Sequence, residues 1–189
     1  MKLRVLLALF VVLLAISTTA TARKFDLNFS DTSAQFKYDF LVGATNYGRT
    51  ELGVGFIYNE DDNNLAELGL QVIDQAGSKS PGLELGVGPK IFVADTDAGD
   101  AAAVGLGGML RYKYPRMPRV VYVGMFYFAP GIVSFLDAED MYEFGVRLQY
   151  ELLPSANAYL GYRKIEVEFK NTGDTVIDDS AHVGLEFKF

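Results

Sequence analysis

The feature that most constrains this chain is a strict alternation of apolar and polar residues in many short segments. At the C-terminus, Val183, Leu185, Phe187 and Phe189 alternate with polar or small residues, and residues 142–150 repeat the pattern. Because successive side chains of a β-strand point to opposite faces, a period of two predicts strands with one apolar and one polar face. After Arg23, no segment has apolar residues at convincing helical spacing, so the sequence predicts an all-β fold.

Segments of this kind, separated by short polar or Gly/Pro-containing links, predict ten strands. They cover residues 24–29, 34–42, 50–58, 65–74, 82–94, 101–113, 119–129, 141–152, 156–169 and 181–189. A count of eight stays open, because the first segment alternates only briefly before residues 31–33. Pro89 lies inside the fifth segment, where it would remove a ladder hydrogen bond, and it predicts a bulge there.

The charges in the links give an independent test of the strand order. Every second link holds acidic but no basic side chains, thirteen acids in all, over residues 30–33, 59–64, 95–100, 130–140 and 171–180. The intervening links hold no acid but contain Arg49, Lys79, Arg116 and Arg119. In a sheet of antiparallel neighbours, alternate links lie at opposite ends. The partition therefore predicts an even number of strands, with both chain termini at the basic end.

The first 22 residues have the pattern of a secretory signal peptide. A basic start with Lys2 and Arg4 precedes an apolar run over residues 5–16 and a small polar run that ends at Ala22. A membrane-spanning helix needs about 20 apolar residues, whereas this run has 12. We expect cleavage after Ala22, which leaves residues 23–189 as a single domain outside the cytoplasm.

Composition excludes several classes of function. The chain has no cysteine, which excludes disulfide scaffolds, zinc-thiolate sites and thiol nucleophiles. Its formal net charge is -7 and its basic residues are not clustered, so we expect no nucleic-acid partner.

Glycines inside the predicted strands distinguish a membrane barrel from a soluble β domain. They lie on or near the polar face, where a solvated sheet would favour Thr, Lys or Glu. A small closed barrel with its apolar face toward lipid needs small residues in the lumen beside a few large charged ones. The predicted lumen charge network comprises Glu84, Lys90, Arg111, Glu143, Arg147 and Glu186. Tyrosines near the strand ends fit interfacial girdles.

The sequence thus predicts a closed antiparallel transmembrane β-barrel of ten strands, with eight as the alternative. We expect a monomer surrounded by outer-membrane lipid, or by detergent after extraction. A soluble periplasmic β-sandwich or lipid-binding barrel stays open as a second class of fold, because such domains also alternate.

The last six residues resemble the C-terminal targeting strand of bacterial outer-membrane barrels, which alternates apolar residues and ends in Phe. The matching positions are Gly184, Leu185, Phe187 and Phe189. Shorter pieces resemble the YfaZ-type small outer-membrane proteins, at residues 25–30, 34–36, 52–55, 86–90, 129–130 and 161–163. The resemblance implies a Gram-negative outer-membrane location and recognition by the barrel-insertion machinery. The family has no established activity to transfer.

Two groups of residues invite a chemical interpretation. Ser180 and His182 share a strand face, which resembles barrel enzymes that deacylate lipopolysaccharide. However, the order is Ser-x-His rather than His-x-Ser, and no acidic third member is indicated. Residues 95–100 resemble a calcium loop, but Gly99 is at position five and Leu106 replaces the bidentate Glu.

We therefore expect Ser180 and His182 to be polar lumen or rim residues. We expect no specific metal site, no cofactor and only diffuse Mg²⁺ or Ca²⁺ association at the acidic links. The predicted function is structural or a narrow, porin-like solute or ion passage. A lipid-modifying enzyme is the alternative.

Overall fold

The computed structural model describes residues 23–46, 48–60, 63–77, 80–170 and 173–189. The predicted signal peptide, residues 1–22, lies outside the described residues. Over the described ranges, no helix is long and apolar enough to cross a membrane.

The described chain folds into strands, with one 3-10 turn at Gly131–Val133. The strands are β1 (Arg23–Phe29), β2 (Ser33–Thr45), β3 (Gly48–Asn59), β4 (Asn64–Gln75), β5 (Leu83–Thr96), β6 (Gly99–Lys113), β7 (Val120–Ala129), β8 (Ser134–Leu136), β9 (Ala138–Leu153), β10 (Ala156–Phe169) and β11 (Gly173–Lys188).

Antiparallel pairing closes the sheet into a barrel. Neighbours in the chain pair in order from β1 to β7, β7 then pairs with β9, and β11 returns to β1 from Lys24↔Lys188 to Phe29↔Val183. The three-residue β8 pairs with β6 above the point where β7 ends, so β7 and β8 share one position in the wall. The barrel therefore has ten strand positions. The prediction of ten strands is confirmed, and the eight-strand and sandwich alternatives are wrong.

The last strand begins earlier than the sequence indicates. Residues 173–180, predicted as part of a link, belong to β11 and pair with β10. Ile165 pairs with Asp178 and Glu166 with Val176, which leaves Ile177 as an extra residue in a β-bulge. Because both Ile177 and Asp178 are buried, the alternation of apolar and polar residues is broken here and hid the strand.

Pro89 does not produce the bulge that was predicted. Gly69↔Lys90 and Val72↔Val87 keep one register on either side of it, and only the ladder between these pairs is interrupted. The missing N–H of Pro89 therefore removes hydrogen bonding to β4 without adding a residue to the strand.

The links lie at two ends, as antiparallel pairing requires. The links β1–β2, β3–β4, β5–β6, β7–β9 and β10–β11 lie at one end, here called the acidic end. The other four links lie at the opposite, basic end, where Arg23 and Phe189 are joined by backbone hydrogen bonds.

The outer face is apolar and exposed, whereas the inner face carries buried polar groups. Leu106 is 71% exposed and Leu160 60%, while the inward Glu143 and Arg163 are each 1% exposed. This is the reverse of a soluble protein and is typical of a barrel that faces lipid.

The lumen at the acidic end is filled by a cluster of side chains, here called the apolar core. Its buried members are Ile57, Leu65, Phe92, Ala94, Ala101, Ala103, Tyr127, Ala129, Ala138, Met141, Ile165, Val167, Phe169 and Ile177.

Candidate functional site

The candidate site is the polar part of the lumen, below the apolar core toward the basic end. Here the inward residues of most strands are charged, and we call this region the charged chamber. It encloses a cavity of about 50 Å³ lined by five acidic and five basic residues. They are Asp26, Asp39, Glu51, Glu67, Glu143, Lys24, Lys37, Lys90, Arg111 and Arg147. A cavity of this size has room for a few water molecules but not for an organic solute.

Directly below the apolar core, Lys90 bridges two carboxylates from opposite sides of the lumen. Its Nζ lies 3.0 Å from Glu67 Oε2 and 2.7 Å from Glu143 Oε2. The same ammonium lies 4.4 Å from the ring centroid of Tyr127, a member of the apolar core. Since all three charged groups are buried, the ammonium stabilises both carboxylates, and they stabilise the ammonium, against the cost of leaving water.

A second cluster surrounds Arg147 on β9. Its Nη1 donates to Asp26 Oδ2 at 2.7 Å and its Nη2 to Glu186 Oε2 at 3.1 Å. Arg111 Nη2 lies 3.8 Å from the same Glu186 oxygen, and Asn157 Nδ2 donates to Glu186 Oε1 at 2.9 Å. These contacts join β1, β6, β9, β10 and β11 across the lumen.

The third cluster is centred on Arg163 of β10. Its Nε donates to Asp178 Oδ2 at 2.7 Å, its Nη1 to Asn28 Oδ1 at 3.2 Å, and Gln35 also accepts from Nη1. Ser180 Oγ donates to Asp178 Oδ1 at 2.6 Å, so both oxygens of this carboxylate are satisfied. The guanidinium therefore links β1 and β2 to β10 and β11, and it stabilises the place where the two ends of the sheet close the barrel.

At the basic end the ion pairs are more exposed. Arg49 makes a two-point contact with Glu84 at 2.9 and 3.0 Å, and its Nε donates to Glu51 at 2.7 Å. Lys24 Nζ donates to Glu51 Oε2 at 2.6 Å. The Arg49 side chain is 30% exposed, against 1% for Arg163. Solvent therefore reaches the chamber from the basic end, while the apolar core closes the other end.

Lumen glycines make room for these large side chains, as the sequence predicts. A Cβ at Gly55 would lie 2.6 Å from Glu67 Cγ, and one at Gly161 would lie 2.6 Å from His182 Nε2. At Gly184 it would lie 2.7 Å from Tyr159 Cε1. Each of these glycines faces a bulky group from a neighbouring strand.

Ser180 and His182 both lie in the lumen and are buried. Ser180 directs its hydroxyl to Asp178, whereas His182 packs edge-on against Tyr159 with ring centroids 5.9 Å apart. Within the described residues, no hydrogen bond joins the Ser180 and His182 side chains, and His182 Nδ1 has no hydrogen-bond partner. A nucleophile and a base are therefore not assembled in this structure.

All six residues of the predicted charge network face the lumen. Lys90 pairs with Glu143, Arg111 and Arg147 share Glu186, and Glu84 binds Arg49 at the basic end. The prediction did not include Asp26, Glu67, Arg163 or Asp178.

The alternation of Phe25, Leu27 and Phe29 could have identified Asp26 as an inward residue, and the same rule applies to Glu67 and Arg163. Asp178 continues the inward series of Ser180 and His182, but it was missed because residues 171–180 are predicted as a link. Among the described residues, no group of three His, Cys, Asp or Glu side chains is arranged to hold a metal ion.

Comparison with known proteins identifies the family. The profile of the YfaZ precursor family matches residues 1–189, the whole chain. The chain belongs to this family. The family's description as a precursor supports the predicted signal peptide, and the resemblance seen in the sequence is confirmed. No curated protein matches the sequence.

Solved structures of membrane proteins resemble this YfaZ-family chain. One, from a study of how membrane proteins crystallise in meso, has a TM-score of 0.51 at 13% identity, covering 90% of this chain and 83% of its own. The KdgM porin in complex with disordered oligogalacturonate gives 0.45 at 10% identity, with 89% and 99% covered. The outer membrane channel DcaP of Acinetobacter baumannii gives 0.44 at 10% identity, with 88% and 62% covered. The first likeness shows a shared fold.

The closed barrel, its exposed apolar outer face and the precursor family together make this chain an outer-membrane β-barrel protein. The location predicted from the sequence is confirmed.

Proposed function

We propose that this protein is a non-conducting, structural barrel of the outer membrane, with its charged chamber open to the periplasm and its acidic end facing outward. One observation carries the proposal: the apolar core closes the lumen at the acidic end. Phe92, Ile165 and Phe169 in this core are at most 2% exposed. A path for ions would have to cross this layer of packed apolar side chains, which do not replace the ions' water of hydration.

The charged chamber supports the same proposal. Each interior carboxylate cluster described above contacts at least one Lys or Arg, so the charges stabilise the wall from inside. A conducting pore would need fixed charges that bind a passing ion weakly enough to release it. Here the cations and carboxylates bind each other.

Single-channel recording in planar lipid bilayers tests the proposal. We expect no steady conductance from the purified wild-type barrel. The double variant Phe92→Ala/Phe169→Ala, which removes two large side chains from the apolar core, is expected to conduct. The matched control Leu106→Ala/Phe126→Ala removes similar volume from the lipid face and is expected to stay closed. Steady conductance of the wild type would support the narrow solute or ion passage instead.

The lipid-modifying alternative makes a different prediction. An enzyme that used Ser180 and His182 would lose its effect on membrane lipid composition in the variant His182→Ala. We expect the lipid profile of cells that produce this variant to equal that of cells producing the wild type, because both side chains are buried in the closed lumen and the Ser180 hydroxyl donates to Asp178 rather than to His182.

We also propose that the barrel-insertion machinery recognises β11, which closes the barrel against β1. The Phe189 side chain is 76% exposed at the end of this strand, whereas its backbone is hydrogen-bonded to Arg23. The variant Phe189→Ala keeps these backbone hydrogen bonds, so it is expected to slow assembly in cells but to leave unfolding of the assembled protein nearly unchanged. At the acidic end, exposed carboxylates such as Asp97 and Glu139 would attract Mg²⁺ or Ca²⁺ diffusely.

A further inference from the structure

A further irregularity of the barrel wall lies on the acidic-end half, between β7 and β8. Leu106 of β6 pairs with Phe128 of β7, and Ala103 of β6 pairs with Ser134 of β8. Between these two pairs the chain advances by three residues along β6 but by six residues along the β7–β8 segment. The three extra residues are the 3-10 turn Gly131–Val133, which must leave the plane of the wall.

This turn projects outward. On the lumen side at this level, Ala101, Ala103 and Ala129 are buried in the apolar core and leave no space. Ile132 is 90% exposed, and Phe135 and Leu136 follow it at 55% and 61%. We call residues 131–136 the apolar protrusion.

The protrusion lies at the depth of lipid hydrocarbon. On β6 the outward residues run from Tyr112 to Ala102 before Asp100 introduces a charge. Ten residue-to-residue steps of about 3.4 Å each, tilted by about 40°, span about 25 Å along the membrane normal, the height of the apolar band of such barrels. Phe135 pairs with Ala102, within this band.

The charge pattern also separates the protrusion from the other links at the acidic end. Residues 129–136 contain no charged side chain, and the first acid is Asp137. By contrast, the β1–β2, β3–β4 and β5–β6 links carry Asp31, Glu60 and Asp97 within the turn itself.

The backbone of the protrusion is suited to an apolar medium, where each unpaired polar group is costly. Pro130 has no N–H, and its carbonyl oxygen accepts hydrogen bonds from Val133 N at 3.0 Å and from Ser134 Oγ at 3.2 Å. Ser134 N donates to Gly131 O.

From these observations we infer that the apolar protrusion is a lipid-binding element that inserts between acyl chains of the leaflet at the acidic end. Its apolar surface continues the lipid-facing belt through Leu106 and Phe128, which are 71% and 41% exposed. This continuity and the missing charge fit hydrocarbon as the occupant. The inference does not depend on whether the barrel conducts.

The absence of tryptophan from the chain gives a clean experiment. The variant Ile132→Trp is folded into phosphatidylcholine vesicles with and without brominated acyl chains. The belt variant Leu160→Trp and the link variant Asp97→Trp serve as references, and heat-dependent gel migration verifies that each has folded. We expect brominated chains to quench Ile132→Trp as strongly as Leu160→Trp, and aqueous iodide to quench only Asp97→Trp.

Quenching of Ile132→Trp by iodide to the level of Asp97→Trp would place the protrusion in water and overturn the inference. Resistance to both quenchers would also overturn it, because another copy of the chain would then cover the protrusion. If the bulky indole prevents folding, Ile132→Cys labelled with an environment-sensitive fluorophore repeats the test, since the chain has no cysteine of its own.

Discussion

At the scale of single residues, the lumen is stabilised by charges that are buried only because they are paired. Arg163 is the clearest case, since its guanidinium contacts residues of β1, β2 and β11. Removal of one member of a buried pair leaves the other uncompensated, which costs far more than the pair contributes relative to an apolar replacement.

We therefore expect Arg163→Met to lower the free energy of unfolding by about 3–5 kcal/mol, because Asp178 remains buried without its cation. Urea titration in phospholipid vesicles measures this change. Lys164→Met is the matched control on the opposite face of β10, where the ammonium pairs with Glu166 at a partly exposed site, and it should have little effect. The double variant Arg163→Met/Asp178→Asn should recover part of the loss. Equal effects of the two single variants would contradict this account.

Lumen glycines give a second prediction at this scale. Gly184→Ala should destabilise the barrel by about 1–3 kcal/mol, because the added methyl group would displace the Tyr159 ring and its hydrogen bonds to Asp26 and Asn28. Gly124→Ala is the control, since a Cβ there meets no atom within 4 Å. Comparable losses of stability in the two variants, measured by the same urea titration, would exclude crowding as the reason for glycine at position 184.

At the scale of elements, the wall tolerates irregularities where the inward and outward alternation is restored on both sides. Around the 3-10 turn, Ala129 and Ser134 both face inward, although five residue steps separate them. In a regular strand, two residues an odd number of positions apart face opposite sides of the sheet. The 3-10 turn therefore shifts the alternation by one residue, so that Ser134 faces the lumen again.

Deletion of residues 131–133 should therefore join β7 to β8 as one continuous strand in register with β6. Ser134 would then follow Pro130 and still face inward, so we expect a folded barrel with heat-dependent gel migration. Deletion of residues 132–133 alone would turn Phe135 toward the lumen and Ser134 toward lipid. We expect this shorter deletion to prevent folding. Equal yields of folded barrel from both deletions would show that the inward and outward register of this segment does not determine whether the barrel folds.

At the scale of the whole molecule, the two ends of the barrel differ in charge and in access to the lumen. The acidic end is closed by the apolar core, while partly exposed ion pairs such as Arg49 with Glu84 lie at the basic end. Both termini are also at the basic end.

We expect the basic end to face the periplasm, and cysteine labelling in intact cells measures this orientation. Asp97→Cys in the β5–β6 link should react with a membrane-impermeant maleimide, whereas Arg116→Cys in the β6–β7 link should react only after the envelope is permeabilised. Because the chain has no native cysteine, the parent protein serves as the blank. The reverse labelling pattern would show that the acidic end faces the periplasm.

The sequence by itself determined that the chain is all-β and made a ten-stranded membrane barrel the expected fold, while a count of eight and a soluble sandwich stayed open. Alternation such as that of residues 142–150 is a local property, set by the two-residue repeat of a strand, and the charges of the links reflect strand direction. The inward position of Glu143, Arg147 and Glu186 follows from the same rule.

Only the tertiary structure decided which lumen charges pair, because partners such as Asp26 and Arg147 are 121 residues apart and meet through the register of several strands. It also decided that the lumen is closed. The apolar core is built from inward residues at one end of most strands. In the sequence, the Ala, Ile and Phe residues at these positions look like ordinary strand residues and do not indicate that they meet in the lumen. The bulge at Ile177 and the turn at Gly131–Val133 were missed for the same reason. Each adds residues to a strand relative to the strand that pairs with it, and this difference is visible only when the two paired strands are compared.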